Sequence, residues 1–112
     1  MITVGVAYGR VREGAREIAR IHVTGHAGAG EYGRDLVCAA VSALVINFIN
    51  SAEAVCGVSL EARVAPGDVA VEVDGDGGVQ LLARSLVDGL TRLAAEHDDF
   101  VRVTDGGGRA RL

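Results

Sequence analysis

Ile2, Val4, Val6 and Tyr8 alternate with Thr3, Gly5 and Ala7, and a period of two is that of a half-buried strand. GRVREG (9–14) reads as turn material. Ile18 to Thr24 reads as the returning strand of a hairpin, with Ile21 and Val23 on one face and Arg20 and His22 on the other. The stretch from Gly25 to Arg34 carries Gly25, Gly28, Gly30 and Gly33. Ordering so much glycine is entropically costly, so a mobile loop is expected there. Asp35 is then a natural N-cap. Leu36 to Ala52 follows without a single charge, and Gly57 suits the position just past the end of a helix. Next, Val58, Leu60, Ala62 and Val64 alternate with polar residues, APGD (65–68) makes a turn, and Val69, Val71 and Val73 return. After DGDGG (74–78), Val79, Leu82, Leu86, Leu90 and Leu93 recur at helical spacing to about His97, and Phe100 to Thr104 adds a short strand.

The order ββαββα(β) predicts an α+β fold in two layers, a largely antiparallel sheet with helices packed against it. Residues 1–104 form one domain and 105–112, DGGGRARL, a loose tail. The two hairpin-plus-helix halves share too little identity to be a repeat.

With 112 residues, 49% of them hydrophobic, the chain can bury roughly two-thirds of its unfolded surface without staples. Aromatics are 4% with no Trp, so the core must be aliphatic. A net charge of −4 argues against direct contact with nucleic acid and favours a basic partner. The uncharged run invites a membrane reading, but Ser42, Asn47, Asn50 and Ser51 interrupt it, and it falls short of the roughly 20 residues a span needs. A helix covered by its own domain, or by a second subunit, is expected instead, with no membrane. The chain begins with the strand-like ITVGVAY rather than a signal peptide. Cys38 and Cys56 lie in the same predicted helix, about 27 Å apart at ~1.5 Å per residue, too far to bridge. Two reduced thiols suit a cytoplasmic protein.

If Asp35 caps the helix, Cys38 occupies about its third position, where free amides and the helix dipole favour a thiolate. His26, in the Gly25-His26-Ala27 turn, is placed to take the thiol proton and return it to a leaving amine. The backbone N–H groups of Leu36 to Ala39 are oxyanion candidates. Against this stands the bland alternative that Cys38 is a small core residue in AAVSALV company. A metal held by His22, His26 and Cys38 needs a bend at Gly25, because extended chain separates the two imidazoles by roughly 13 Å. No metal and no cofactor are therefore expected. His22 should project from the sheet, His97 should complement a helix C-terminus, and Cys56 should be inert. Gly75, Gly77 and Gly78 precede a helix, but Asp74 and Asp76 beside them repel an anion.

GHAGAGEYGRDLVCAAVS (25–42) closely resembles the signature of the bacterial ribosomal-processing cysteine proteases, the Prp family. Gly25, His26, Ala27, Gly33, Asp35, Val37, Cys38, Ala39 and Ser42 match its pattern. Leu36, where the family has isoleucine, is the one notable departure. Length, the MITV start and the element order match as well. The resemblance implies cytoplasmic homodimers that remove a short N-terminal extension from large-subunit ribosomal protein number twenty-seven. It implies Cys38 as nucleophile and His26 as general base, with Asp35 and Ser42 in support. Asp35 either orients His26 or only caps the helix, and Ser42 is a structural hydrogen-bonder. Gly28, Gly30 and Gly33 would let the loop order over the cleft when substrate binds, with Glu31 meeting basic residues and Tyr32 apolar ones. The competing expectations are a non-catalytic ribosome-assembly or scaffold dimer of the same fold, and a redox-sensing thiol protein for which His26 is dispensable.

Overall fold

The computed structural model describes residues 1–12, 14–25 and 32–105, with Arg12 and residues 32–35 described for their backbone alone. The elements are β1 (Ile2–Arg12), β2 (Ala15–Gly25), α1 (Tyr32–Cys56), β3 (Ala62–Ala65), β4 (Asp68–Glu72), α2 (Gly77–Glu96) and β5 (Val101–Thr104). The sheet runs β3-β4-β2-β1-β5. Its pairings are antiparallel except for β5, which lies parallel to β1. This is the α+β, two-layer arrangement expected from the pattern.

Alternation decides which face is covered. Val4 and Val6 of β1, Ile21 and Val23 of β2, Val71 of β4 and Val101 of β5 are buried on one side. Against them lie Val37, Val41, Val45, Phe48 and Ala52 of α1 and Val79, Ala83, Leu86 and Leu90 of α2. Each large aliphatic chain so buried contributes about 1.5–3 kcal/mol. The core is indeed aliphatic, with Phe48 as its buried aromatic.

Three elements differ from expectation. The first hairpin is longer: β1 and β2 continue through the segment read as a turn, and the chain reverses next to Gly14, at φ 83°. Register shifts between Ala7 and Tyr8 and between Tyr8 and Val11 let the ladder continue past the break in alternation. They also explain why Ile18 and Ile21, an odd number apart, are both buried. β3 is shorter, because the chain must first leave the cap of α1, where Gly57 (φ 71°) donates its N–H to Glu53 O at 3.0 Å. Val58 and Leu60 pack against the core without joining a strand. Finally, α1 starts at Tyr32 rather than after Asp35. Gly33 costs such a helix about 1 kcal/mol, but propagating an anchored helix adds a hydrogen bond for each residue fixed.

The second helix starts as its aspartates dictate. Asp76 caps α2 by accepting from Gly78 N (3.0 Å) and Val79 N (3.1 Å), and Asp74 Oδ1 accepts from Asp76 N (2.8 Å). Its other end closes at His97, whose backbone N–H donates to Leu93 O at 2.9 Å. By length and composition Leu36–Cys56 could cross a membrane. Here the buried face of that helix belongs to the domain core. The tail beyond Asp105 lies outside the described residues.

Candidate active site

A cleft of about 410 Å³ opens between α1 and the β3–β4 hairpin. Cys38, Val41, Ser42, Val45 and Ile46 line it from the helix, and Val64 through Val69 from the hairpin. Helical geometry explains the first group: positions four apart share a face, so Cys38 and Ser42 are brought together one turn apart. Cys38 is half-buried and Ser42 is exposed. Cys38 therefore touches the core's edge without being sealed inside it.

The end of β2 supplies the third wall through Val23 and Gly25. Gly25 has φ 92°, and a Cβ there would run into the carbonyl oxygen of Met1, so this position demands glycine. Its N–H donates to Gly67 O at 2.9 Å, tying the strand to the hairpin turn. That turn places Pro66 and then Gly67 (φ 72°) between the strands, the order a tight reversal favours. Gly25 is the residue bonded to His26 in the sequence.

Asp68 is the one charged residue on the cleft's described wall. Its carboxylate accepts from His22 Nε2 at 2.8 Å and from Arg63 Nη2 at 2.9 and 3.1 Å. Hydrogen bonds from these two partners, His22 foremost, hold its pKa below the ordinary carboxylate value. His22 does project from the open face of the sheet, as alternation requires, but it has a partner that sequence spacing could not reveal. Asp68 and Arg63 were missed as neighbours of the cleft. The APGD turn was the available signal, since it implied a hairpin without indicating what the hairpin faces.

Several expectations change at α1. With Tyr32 as its first residue, Asp35 sits inside the first turn instead of at the cap, and Cys38 is the seventh residue rather than the third. The N–H groups of Leu36 to Ala39 are then committed to carbonyls four residues earlier. They are not free to hold an oxyanion, and the full effect of the helix terminus on Cys38 fades with distance. Tyr32 and Gly33 belong to the helix rather than to the expected loop. His26, Gly28, Gly30 and Glu31 lie outside the described residues. Cys56 is remote, at the other end of α1, with its sulfur packed against Gly78 at the start of α2. Both thiols are unbridged, and no group of three or more metal-ligating side chains occurs among the described residues.

A family profile described as cysteine protease Prp matches residues 1–102. Among solved structures, a Streptococcus mutans protein is 32% identical, with 94% of this chain and 93% of that chain covered and a TM-score of 0.80. An essential ribosomal processing protease Prp from S. aureus, in complex with a covalently linked product peptide, is 25% identical, with 94% and 99% covered and a TM-score of 0.80. The same protease with a substrate peptide shares the fold at a TM-score of 0.80 and 22% identity, again with 94% and 99% covered. No curated protein sequence matches the chain significantly.

Proposed function

Because this chain belongs to the cysteine protease Prp family, we propose that it removes the N-terminal extension of large-subunit ribosomal protein number twenty-seven during ribosome biogenesis, as a cytoplasmic homodimer. Cys38 is the nucleophile and His26 its general base. The observation that carries this is the cleft itself. A half-buried thiol opens onto an apolar groove whose facing wall includes Gly25, one peptide bond from His26. In mechanism, His26 takes the Cys38 proton as sulfur attacks the scissile carbonyl, then protonates the departing amine. Water next hydrolyses the thioester. A net charge of −4 favours encounter with a basic ribosomal protein.

The homodimer draws support from α1. Its core face is Val37, Val41, Val45, Phe48 and Ala52. At about 100° per residue, Leu36, Ala39, Ala43, Asn47, Asn50 and Ala54 fall on the opposite side, exposed and uncharged. Leu36 is 73% exposed there. A second subunit would cover this stripe.

The assay is a peptide spanning the precursor extension, incubated with the wild type, Cys38→Ser and His26→Ala. Wild type should cleave it. Removing the base should cost on the order of 10²–10⁴-fold, and replacing the nucleophile should cost at least as much. Binding without cleavage by the wild type would favour the scaffold dimer, and an active His26→Ala protein would remove the dyad.

A further inference from the structure

The strand β3 is an edge of the sheet, and all four of its residues are exposed. Its pairing with β4 is Ala62 to Val71, Arg63 to Ala70, Val64 to Val69 and Ala65 to Asp68. One step before this ladder, Glu72 donates its N–H to Glu61 O at 2.9 Å. Hydrogen-bonded and non-hydrogen-bonded pairs alternate along an antiparallel ladder. Glu61, Arg63 and Ala65 therefore direct their backbone groups toward β4, and Ala62 and Val64 direct theirs outward. The side chains alternate too. Val64 lines the cleft that holds Cys38, whereas Arg63 reaches Asp68. An outward-facing row of backbone donors and acceptors is thus continuous with a groove made of Val41, Val45, Ile46 and Val64.

We propose that β3 is the docking strand for the substrate: an extended peptide adds to the sheet edge by pairing with the N–H and C=O of Ala62 and Val64. Strand addition gives affinity through the backbone and selectivity through alternate side chains. Every second side chain of the peptide enters the apolar groove, and the backbone is laid along the wall opposite Cys38. Asp68 does not greet a substrate cation, because His22 and Arg63 already engage it. The inference rests on the peptidase assignment of the cleft.

The edge can be edited without breaking the sheet. Proline is tolerated on an edge strand where its missing N–H would face outward, so Val64→Pro deletes a docking donor and spares the β4 ladder. Val64→Ala is the reference, since it removes the same side-chain methyls and keeps the N–H. With a fluorescein-labelled precursor-extension peptide, binding is read by anisotropy in a Cys38→Ala background and cleavage in the active protein. Val64→Pro should weaken binding about tenfold relative to Val64→Ala and lower kcat/KM in proportion. Equal binding by the two folded variants overturns the proposal. If Val64→Pro does not fold, the wild type is tested with peptides N-methylated at successive positions. Losses at alternate positions support strand addition, and a uniform response overturns it. A wild type that binds with this Val64 dependence but never cleaves refutes the peptidase assignment and keeps the docking strand.

Discussion

Asp68 joins three elements through one carboxylate. His22 on β2 and Arg63 on β3 both donate to it, and it begins β4. Its pKa is lowered in the folded chain, so its stabilising contribution is present above the unfolded value of 3.8 and is lost as pH falls through the lowered one. Asp68→Asn should therefore remove that part of the acid-induced loss of stability. Urea midpoints followed from neutral pH down to about pH 2 would show a shallower decline in the variant. The cluster is solvent-exposed, so the effect is modest and should shrink with added salt. Cys38, Asp35 and Ser42 were legible in the sequence as candidates because they stand in one short motif. Asp68 was not, since its partners lie 46 and 5 residues away and only the sheet register unites them.

Gln80 shows how one side chain can bind elements together. It is the buried polar residue of α2. Its Oε1 accepts from Ile18 N at 2.9 Å, and its Nε2 donates to Ile18 O (2.9 Å) and Asp74 O (3.0 Å). Pairing of β2 with β4 covers Arg20 to Thr24 only, so Gln80 takes the place of a strand neighbour for Ile18. Gln80→Leu should strand buried backbone groups at a cost of about 2–4 kcal/mol. Denaturant unfolding would report the loss, and hydrogen exchange should speed up at the Ile18 amide. Nothing in VQLLARSL sets this glutamine apart from a solvent-facing helix position. Element identity was otherwise well marked: period-two runs became strands over all or part of their length, the uncharged run from Leu36 and the helical spacing from Val79 became helices, and Gly57 and APGD ended elements. Boundaries were missed where tertiary pairing outweighed local turn chemistry, as in GRVREG, or where helix propagation outweighed an internal glycine, as at Gly33.

The assembled domain covers one side of α1 and leaves an uncharged stripe exposed on the other. Two expectations, a helix wrapped by its own domain or by a second subunit, were equally open in the sequence. The layer arrangement leaves the outer stripe uncovered, which favours the subunit. Ala43→Arg, at the middle of that stripe, should convert a dimer into a chain of 11.5 kDa, as measured by sedimentation equilibrium. A wild type that is already monomeric would contradict the proposed assembly.

Fold class, element order, an aliphatic core and the candidate thiol followed from the chain alone, because each is written in local periodicity or in one contiguous motif. Strand order, the parallel placement of β5, the cleft between α1 and the β3–β4 hairpin, and the Asp68 cluster followed only from the folded chain. Each of these depends on segments far apart in sequence meeting in one register, and no local pattern specifies which edge of a sheet faces which turn of a helix.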